Sequence, residues 1–210
     1  MNYELIKVCG MREPDNIRAV EALGVDWLGF IFWPRSSRYV AEKPDYLPAR
    51  AKRVGVFVDA TVEDVAQHVS DYRLDLVQLH GHETPEYIHQ LGSAYGGSAT
   101  VPRLIKALSI KERTDVAAYK AYEGLVDYFL FDTKAQLVGG NGVKFDWSVL
   151  NEYDGRTPFL LSGGIGPDDV GRLHHFHHDK CVGIDLNSRF EVAPALKDIN
   201  SLKRFLYEQD

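Results

Sequence analysis

With 210 residues, 45% of them hydrophobic, the chain carries enough apolar material for one good core, and a single domain over residues 1–210 is expected. A formal net charge of −6 without any block of consecutive basic residues withholds the attraction to phosphate backbones that nucleic-acid binders rely on, so no nucleic acid is expected as a partner. No membrane is expected either: no stretch is apolar for long enough to span one, and Met1–Gly10 mixes Glu4 and Lys7 among its apolar residues, unlike a signal peptide. The expected location is therefore cytoplasmic. Two cysteines, Cys9 and Cys181, suit a reducing compartment, although the first and last strands of a closed barrel adjoin and leave a disulfide between them open.

In chain order, short apolar runs alternate with amphipathic stretches of helical length, the pattern of βα units building a parallel sheet. The strand Leu5–Cys9 precedes a helix at Pro14–Leu23, Trp27–Ile31 precedes Pro44–Ala51, Arg53–Val58 precedes Val62–Tyr72, and Leu76–Leu79 precedes Pro85–Ala94. In the second half Val101–Ala107 is followed by Lys111–Tyr122, Tyr128–Phe131 by Trp147–Leu150, Phe159–Ser162 by Pro167–Phe176, and Val182–Asp185 by Ser201–Glu208. Pro14, Pro85 and Pro167 stand where a first-turn N–H would go unused, and Thr61 and Thr84 are candidate N-caps. Eight pairs predict an α/β fold, a (β/α)8 TIM barrel, compact against the roughly 250 residues typical of that fold. An open doubly wound sheet usually stops at five or six strands. Trp147–Leu150 is barely one turn.

Barrel active sites lie at the C-terminal ends of the strands, which directs attention to Cys9, Asp132 and Asp185. Alternation puts Lys7 on the same side as Cys9, one layer deeper. Taken alone, Cys9 reads as a small buried filler, Asp132 and Asp185 as loop caps, and Lys7 either as a structural partner of an acid or as a charge that tunes the cysteine. Two glycine-rich segments suit a phosphate: one contains Gly140 and Gly142 and follows the sixth strand, and the other contains Gly163 and Gly164 and follows the seventh. Glycines let backbone N–H groups approach an anion. The histidines at 174, 175, 177 and 178 read as solvated or dipole-capping residues rather than metal ligands, and His80 as a loop support.

Several motifs in order resemble one family over nearly the whole chain, phosphoribosylanthranilate isomerase of tryptophan biosynthesis. They are Lys7-Val8-Cys9-Gly10-Met11, Gly29-Phe30-Ile31-Phe32 with Ser37-Arg38-Tyr39-Val40, Val54-Gly55-Val56-Phe57-Val58, Val77-Gln78-Leu79-His80-Gly81, Ile105-Lys106-Ala107, Phe131-Asp132-Thr133, Phe145-Asp146-Trp147 and Ser162-Gly163-Gly164. The resemblance implies an Amadori rearrangement of a phosphorylated aminosugar with Cys9 as general base and Asp132 as general acid. It implies that Arg38 grips the anionic end of the substrate, that the loops after strands six to eight hold its phosphate, and that Asp185 touches the sugar or amine. It implies no metal and no cofactor, and either a monomer or a homodimer. After Asp185 the family's pair of serines and a glycine is replaced by Asn187, Ser188 and Arg189, so phosphate contacts there depart from the family pattern; Asn187 and Ser188 remain candidate substrate contacts.

With ordinary pKa values near 3.9 and 8.5, only about one Asp in a thousand is protonated at pH 7 and roughly 3% of Cys is ionised. The expectation is that burial raises the acid and Lys7 favours the thiolate. Two rival readings are another sugar-phosphate isomerase or epimerase barrel, which favours a metal or two aspartates, and a catalytically silent barrel that only binds a phosphorylated ligand.

Overall fold

Eight short runs rich in large apolar residues pair side by side and return on themselves. β1 (Leu5–Cys9), β2 (Trp27–Ile31), β3 (Lys52–Phe57), β4 (Leu76–Leu79), β5 (Arg103–Ile110), β6 (Tyr128–Thr133), β7 (Phe159–Ser162) and β8 (Cys181–Leu186) form a closed barrel in chain order. The last strand lies parallel to the first. The structure, a computed structural model, describes residues 3–95, 101–133 and 145–207. Around the barrel run α1 (Pro14–Ala22), α2 (Val62–Tyr72), α3 (Pro85–Ala94), α4 (Val170–His175) and α5 (Ile199–Tyr207), so the expected TIM barrel is the fold observed. Thr61 and Thr84 accept the backbone N–H of Asp64 and Tyr87 and cap α2 and α3. Among the described residues no helix is long and apolar enough to cross a membrane.

Alternation along each strand sorts the apolar residues into two layers. Trp27, Val54, Val56, Leu76, Ile105, Leu130 and Leu160 fill the barrel, while Val8, Leu28, Phe57, Val77, Phe129, Phe131 and Leu161 face the surrounding helices. Trp27 and Tyr128, which begin β2 and β6, meet edge to face with ring centroids 5.1 Å apart and plug the end where the strands start. The opposite end carries the polar residues. Cys9 ends β1 there, whereas Cys181 begins β8 at the plugged end; both are free, so the disulfide left open by the sequence does not form.

Residues 44–51, expected to be helical, are irregular. Pro48 would remove a hydrogen bond from the middle of such a helix and clash with the preceding turn. A buried carboxylate organises the segment instead: Glu21 on α1 accepts the N–H of Arg50 at 2.6 Å, that of Ala51 at 3.0 Å, and the Tyr46 hydroxyl. Arg53 adds two bonds to the Pro48 carbonyl. The fifth and sixth helices are 3₁₀ turns at Arg113–Ala121 and Trp147–Glu152. In the first, the buried residues Val116 and Tyr119 are three apart, the spacing that a three-residue turn brings to one face.

After β8 the chain adds a small antiparallel hairpin that the sequence reading did not contain, β9 (Glu191–Ala193) with β10 (Leu196–Lys197). Asn16 ties it to α1 by donating to the Lys197 carbonyl at 2.9 Å and accepting the Lys197 N–H at 2.8 Å.

Candidate active site

The pairing of β1 with β8 sets Lys7 beside Asp185 inside the barrel. Lys7 Nζ lies 2.7 Å from Asp185 Oδ1, and the other carboxylate oxygen accepts the Ser162 hydroxyl at 2.8 Å. Both oxygens of Asp185 are thus engaged by the protein. Burial opposes the Lys7 ammonium, yet Asp185 and Cys9 outweigh it and hold Lys7 above its ordinary value. Cys9 sits one layer higher on the same face, its side chain in the inner apolar cluster. Burial pushes the Cys9 thiol up and Asp185 adds to that, while Lys7 and Lys197 pull it down without prevailing. The expected influence of Lys7 is therefore present in sign, but the resting group is the thiol. Across from Cys9, Gly29 leaves room: a Cβ there would lie 2.7 Å from Cys9 Sγ.

Asp132 is on β6 with the inward parity of Leu130. His80, just beyond β4, brings Nε2 to 3.6 Å from Asp132 Oδ2, and its Nδ1 lies 2.7 Å from the side-chain nitrogen of Gln78. A buried ion pair grips this loop from outside the barrel. Lys106 Nζ contacts Glu83 Oε2 at 2.8 Å, the Gly81 carbonyl at 2.7 Å and the Leu79 carbonyl at 3.4 Å, which brackets His80 on both sides. Glu83 in turn accepts the N–H of Gly81 and of Asp59. The adjoining cavity, about 910 Å³, is lined in part by Trp33, Arg35, His80 and Ser109.

Arg38 reaches the same end of the barrel but is held by a side chain that the sequence reading did not single out. Its Nε and Nη2 make a fork onto Glu191, with contacts of 2.6–3.0 Å, and leave Nη1 unused by that fork. Lys197 Nζ joins from β10, 2.6 Å from Glu191 and 2.8 Å from Asn187 Oδ1. Burial works against the Glu191 carboxylate, but Arg38 and Lys197 overcome it and hold its pKa low. This network packs on Gly10, whose φ of +79° and lack of a side chain are both required: a Cβ would lie 2.7 Å from Arg38 Cδ and 2.9 Å from Asn187 Oδ1.

Of the proposed phosphate residues, Gly140 and Gly142 lie outside the described residues. Gly163 and Gly164 have φ of +96° and +67°. Gly163 also passes so near the Thr133 backbone that a Cβ would lie 2.0 Å from its carbonyl oxygen, and the Thr133 hydroxyl bonds the Ser162 carbonyl at 2.7 Å. The end of β6 is thus locked to the loop after β7, and among the described residues no atom beyond its chain neighbours lies within 4 Å of where a Gly164 Cβ would be. Ser188 is exposed, Asn187 is committed to Lys197, and the exposed Arg189 lies over Gly166, with Nε 3.3 Å from where a Cβ would be.

Among the described residues no group of three or more His, Cys, Asp or Glu side chains is placed to hold a metal ion. His178 bonds the Tyr153 carbonyl and the Lys180 N–H, and His175 the Gly171 carbonyl.

A barrel site with a thiol, a carboxylate and cations at the strand ends is what fold and geometry define. Residues 6–208 match the family model of N-(5'-phosphoribosyl)anthranilate isomerase. A protein of that name from Parabacteroides distasonis is 50% identical over 210 residues, covering 97% of this chain and 92% of its own. The solved phosphoribosyl anthranilate isomerase from Thermotoga maritima superposes with a TM-score of 0.79 at 29% identity, covering 96% of each chain. A phosphoribosyl anthranilate isomerase in complex with reduced 1-(o-carboxyphenylamino)-1-deoxyribulose 5-phosphate superposes with a TM-score of 0.76 at 27% identity, again over 96% of each chain. The chain belongs to the N-(5'-phosphoribosyl)anthranilate isomerase family.

Proposed function

We propose that the chain rearranges N-(5-phosphoribosyl)anthranilate to 1-(2-carboxyphenylamino)-1-deoxyribulose 5-phosphate, with Asp132 as acid and Cys9 as base. Membership of the family makes it an isomerase of tryptophan biosynthesis acting on a phosphorylated small molecule. Asp132 gives its proton to the furanose ring oxygen as the C1–O bond breaks, and the nitrogen lone pair forms an iminium. The Cys9 thiolate, formed from the resting thiol as Asp132 takes up a proton ahead of the reaction, then removes the C2 proton, the electrons flow to the iminium nitrogen, and the resulting enol ketonises at C2. Nothing is oxidised or reduced overall.

The observation that carries this assignment is the placing of Cys9 directly above the Lys7–Asp185 pair. An ammonium next to the thiol favours the charge that proton abstraction requires, and Asp185 keeps that ammonium charged. The glycines at 163 and 164 would receive the phosphate through backbone N–H groups, and Nη1 of Arg38, which the Glu191 fork does not use, would meet the aryl carboxylate. Asp185 holds Lys7 and the Ser162 hydroxyl and, with acceptor capacity left on each oxygen, would touch the sugar or amine. A cytoplasmic location is consistent with such a pathway step.

The test is to supply freshly made phosphoribosylanthranilate and follow the loss of its fluorescence with wild type, Cys9→Ser and Asp132→Asn. Wild type is expected to turn over and each variant to lose at least about a hundredfold. Wild-type activity in either variant removes that residue from the mechanism; ligand-induced stabilisation of a wild type without turnover would favour a silent barrel.

A further inference from the structure

Gln78 is a polar residue where the barrel is otherwise apolar. It faces inward from β4, its register partners on β3 and β5 are Val56 and Ile105, and only 1% of its surface is exposed. Its side-chain carbonyl Oε1 has no hydrogen-bond partner. A residue present for packing alone would be better apolar, because an unpaired buried carbonyl is costly. What the amide does that a leucine could not is donate to His80 Nδ1 at 2.7 Å.

That donation fixes the imidazole. A ring whose Nδ1 accepts carries its hydrogen on Nε2 when neutral, and Nε2 is the atom 3.6 Å from Asp132 Oδ2. The backbone on either side of His80 is held by Lys106 through the Leu79 and Gly81 carbonyls, so the ring stands on a fixed base.

We propose that Gln78 and His80 form a hydrogen-bond relay behind Asp132, which stabilises its carboxylate as it gives up its proton and makes His80 a positioning residue for the acid step. The proposal rests on Asp132 being the acid. At 3.6 Å the Nε2–H stands just beyond hydrogen-bond distance of Asp132; a protonated Asp132 gains little from drawing it closer, whereas the carboxylate left after transfer gains a charge-assisted hydrogen bond. The interaction strengthens along the reaction and so lowers its barrier instead of merely tightening binding. The proton transferred is that of Asp132, and His80 only donates a hydrogen bond.

The charge environment of Asp132 makes the effect readable in a pH profile. Its register partners on β5 and β7 are Ser109 and Ser162, which carry no charge; among the described residues the ionisable groups at this end of the barrel include Cys9, Lys7 and Asp185, with Arg35 in the adjoining cavity and Arg38, Glu191 and Lys197 at the hairpin. Loss of the Nε2–H leaves the Asp132 carboxylate less stable and its pKa higher. Because burial holds the Cys9 thiol up, the carboxyl of Asp132 ionises first and sets the limb on which rate rises with pH, and that limb moves to higher pH.

The experiment measures kcat and KM against pH for wild type, His80→Leu, His80→Gln, Gln78→Leu and Asp132→Asn, with near-UV circular dichroism to check that each is folded. His80→Leu is expected to lose about a hundredfold in kcat, the scale of one donor aimed at developing charge, with KM within about twofold and the limb displaced upward. His80→Gln keeps a donor and stays within about tenfold of wild type, and Gln78→Leu falls between the two. A folded His80→Leu with an unmoved limb, or equal losses in the two His80 variants, overturns the relay while an inactive Asp132→Asn leaves the acid assignment standing. An active Asp132→Asn defeats both.

Discussion

Of the lysine–carboxylate pairs buried among the described residues, two on opposite faces of the strands differ in what surrounds them. Lys7 and Asp185 face inward at 2.7 Å with Cys9 above them, whereas Lys106 and Glu83 meet at 2.8 Å in the outer layer, under the loop after β4. Each nitrogen is almost completely removed from water, so each pair carries a similar desolvation burden and neither is needed for packing. The inner pair has one spare influence, its charge, which falls on the Cys9 thiol. The outer pair directs its remaining hydrogen bonds to the Leu79 and Gly81 carbonyls and to the Gly81 and Asp59 N–H groups, so it fixes backbone. The same ion-pair chemistry thus serves as an electrostatic device on one strand face and as a mechanical one on the other.

The comparison breaks most sharply if one lysine of each pair is replaced by methionine. Either change strands a buried carboxylate and is expected to cost about 3–5 kcal/mol of stability, read from urea denaturation. The two variants should then part company. Lys7→Met removes the charge that favours the thiolate and leaves Asp185 to disfavour it, so the alkaline limb, set by ionisation of the resting Cys9 thiol, moves up and kcat/KM at neutral pH falls about tenfold for each unit. Lys106→Met should leave that limb in place. A second consequence concerns alkaline stability. Lys7 has a raised folded pKa, so its contribution is complete below the unfolded value of about 10.5 and is lost as pH rises through the folded value. The buried Cys9 thiol acts in the same direction from about pH 9 upward. The steep alkaline fall of the wild type should therefore be shallower in Lys7→Met; equal slopes would mean that the inner pair is structural only.

Arg38 lies between these cases. Its fork onto Glu191 resembles the outer pair, but 22% of the Arg38 side chain is exposed and Nη1 remains for a ligand. Arg38→Lys keeps the charge and loses the fork. KM is expected to rise about tenfold, which is about 1.4 kcal/mol, with stability changed by less than about 1 kcal/mol. A KM equal to wild type would show that the carboxylate of the substrate is bound elsewhere.

Local pattern made much of this legible. The limits of β1, β2, β4, β7, α2 and α3 follow from apolar periodicity, prolines and threonine caps, and the shared face of Lys7 and Cys9 follows from alternation alone. What stayed open depended on contacts distant in sequence. Whether Lys7 paired with an acid or tuned Cys9 was undecidable until the β1–β8 register was known, and it proves to do the first while influencing the second. Residues 44–51 looked helical because the Glu21 carboxylate that holds them differently lies on another element. Glu191 and Lys197 left no local signal, since only the β9–β10 hairpin brings them to Arg38. His80 lay in a quoted motif, but its neighbour Asp132 is 52 positions further along and its partner Gln78 reads, on its own, as an ordinary strand residue.

Separating chemistry from stability requires a variant that costs stability with no route to the site. Thr61 provides it: its hydroxyl accepts the Asp64 N–H at the start of α2, on the outside of the barrel. Thr61→Ala is expected to cost about 1 kcal/mol through the lost cap, and neither limb of the pH profile should move, because no charge or donor near Cys9 or Asp132 has changed. If a limb did shift in Thr61→Ala, the profile would be reporting general loosening of the barrel, and a shifted limb in Lys7→Met could no longer be assigned to the ammonium. If it stays fixed while Lys7→Met moves it, the inner pair acts on Cys9 through its charge.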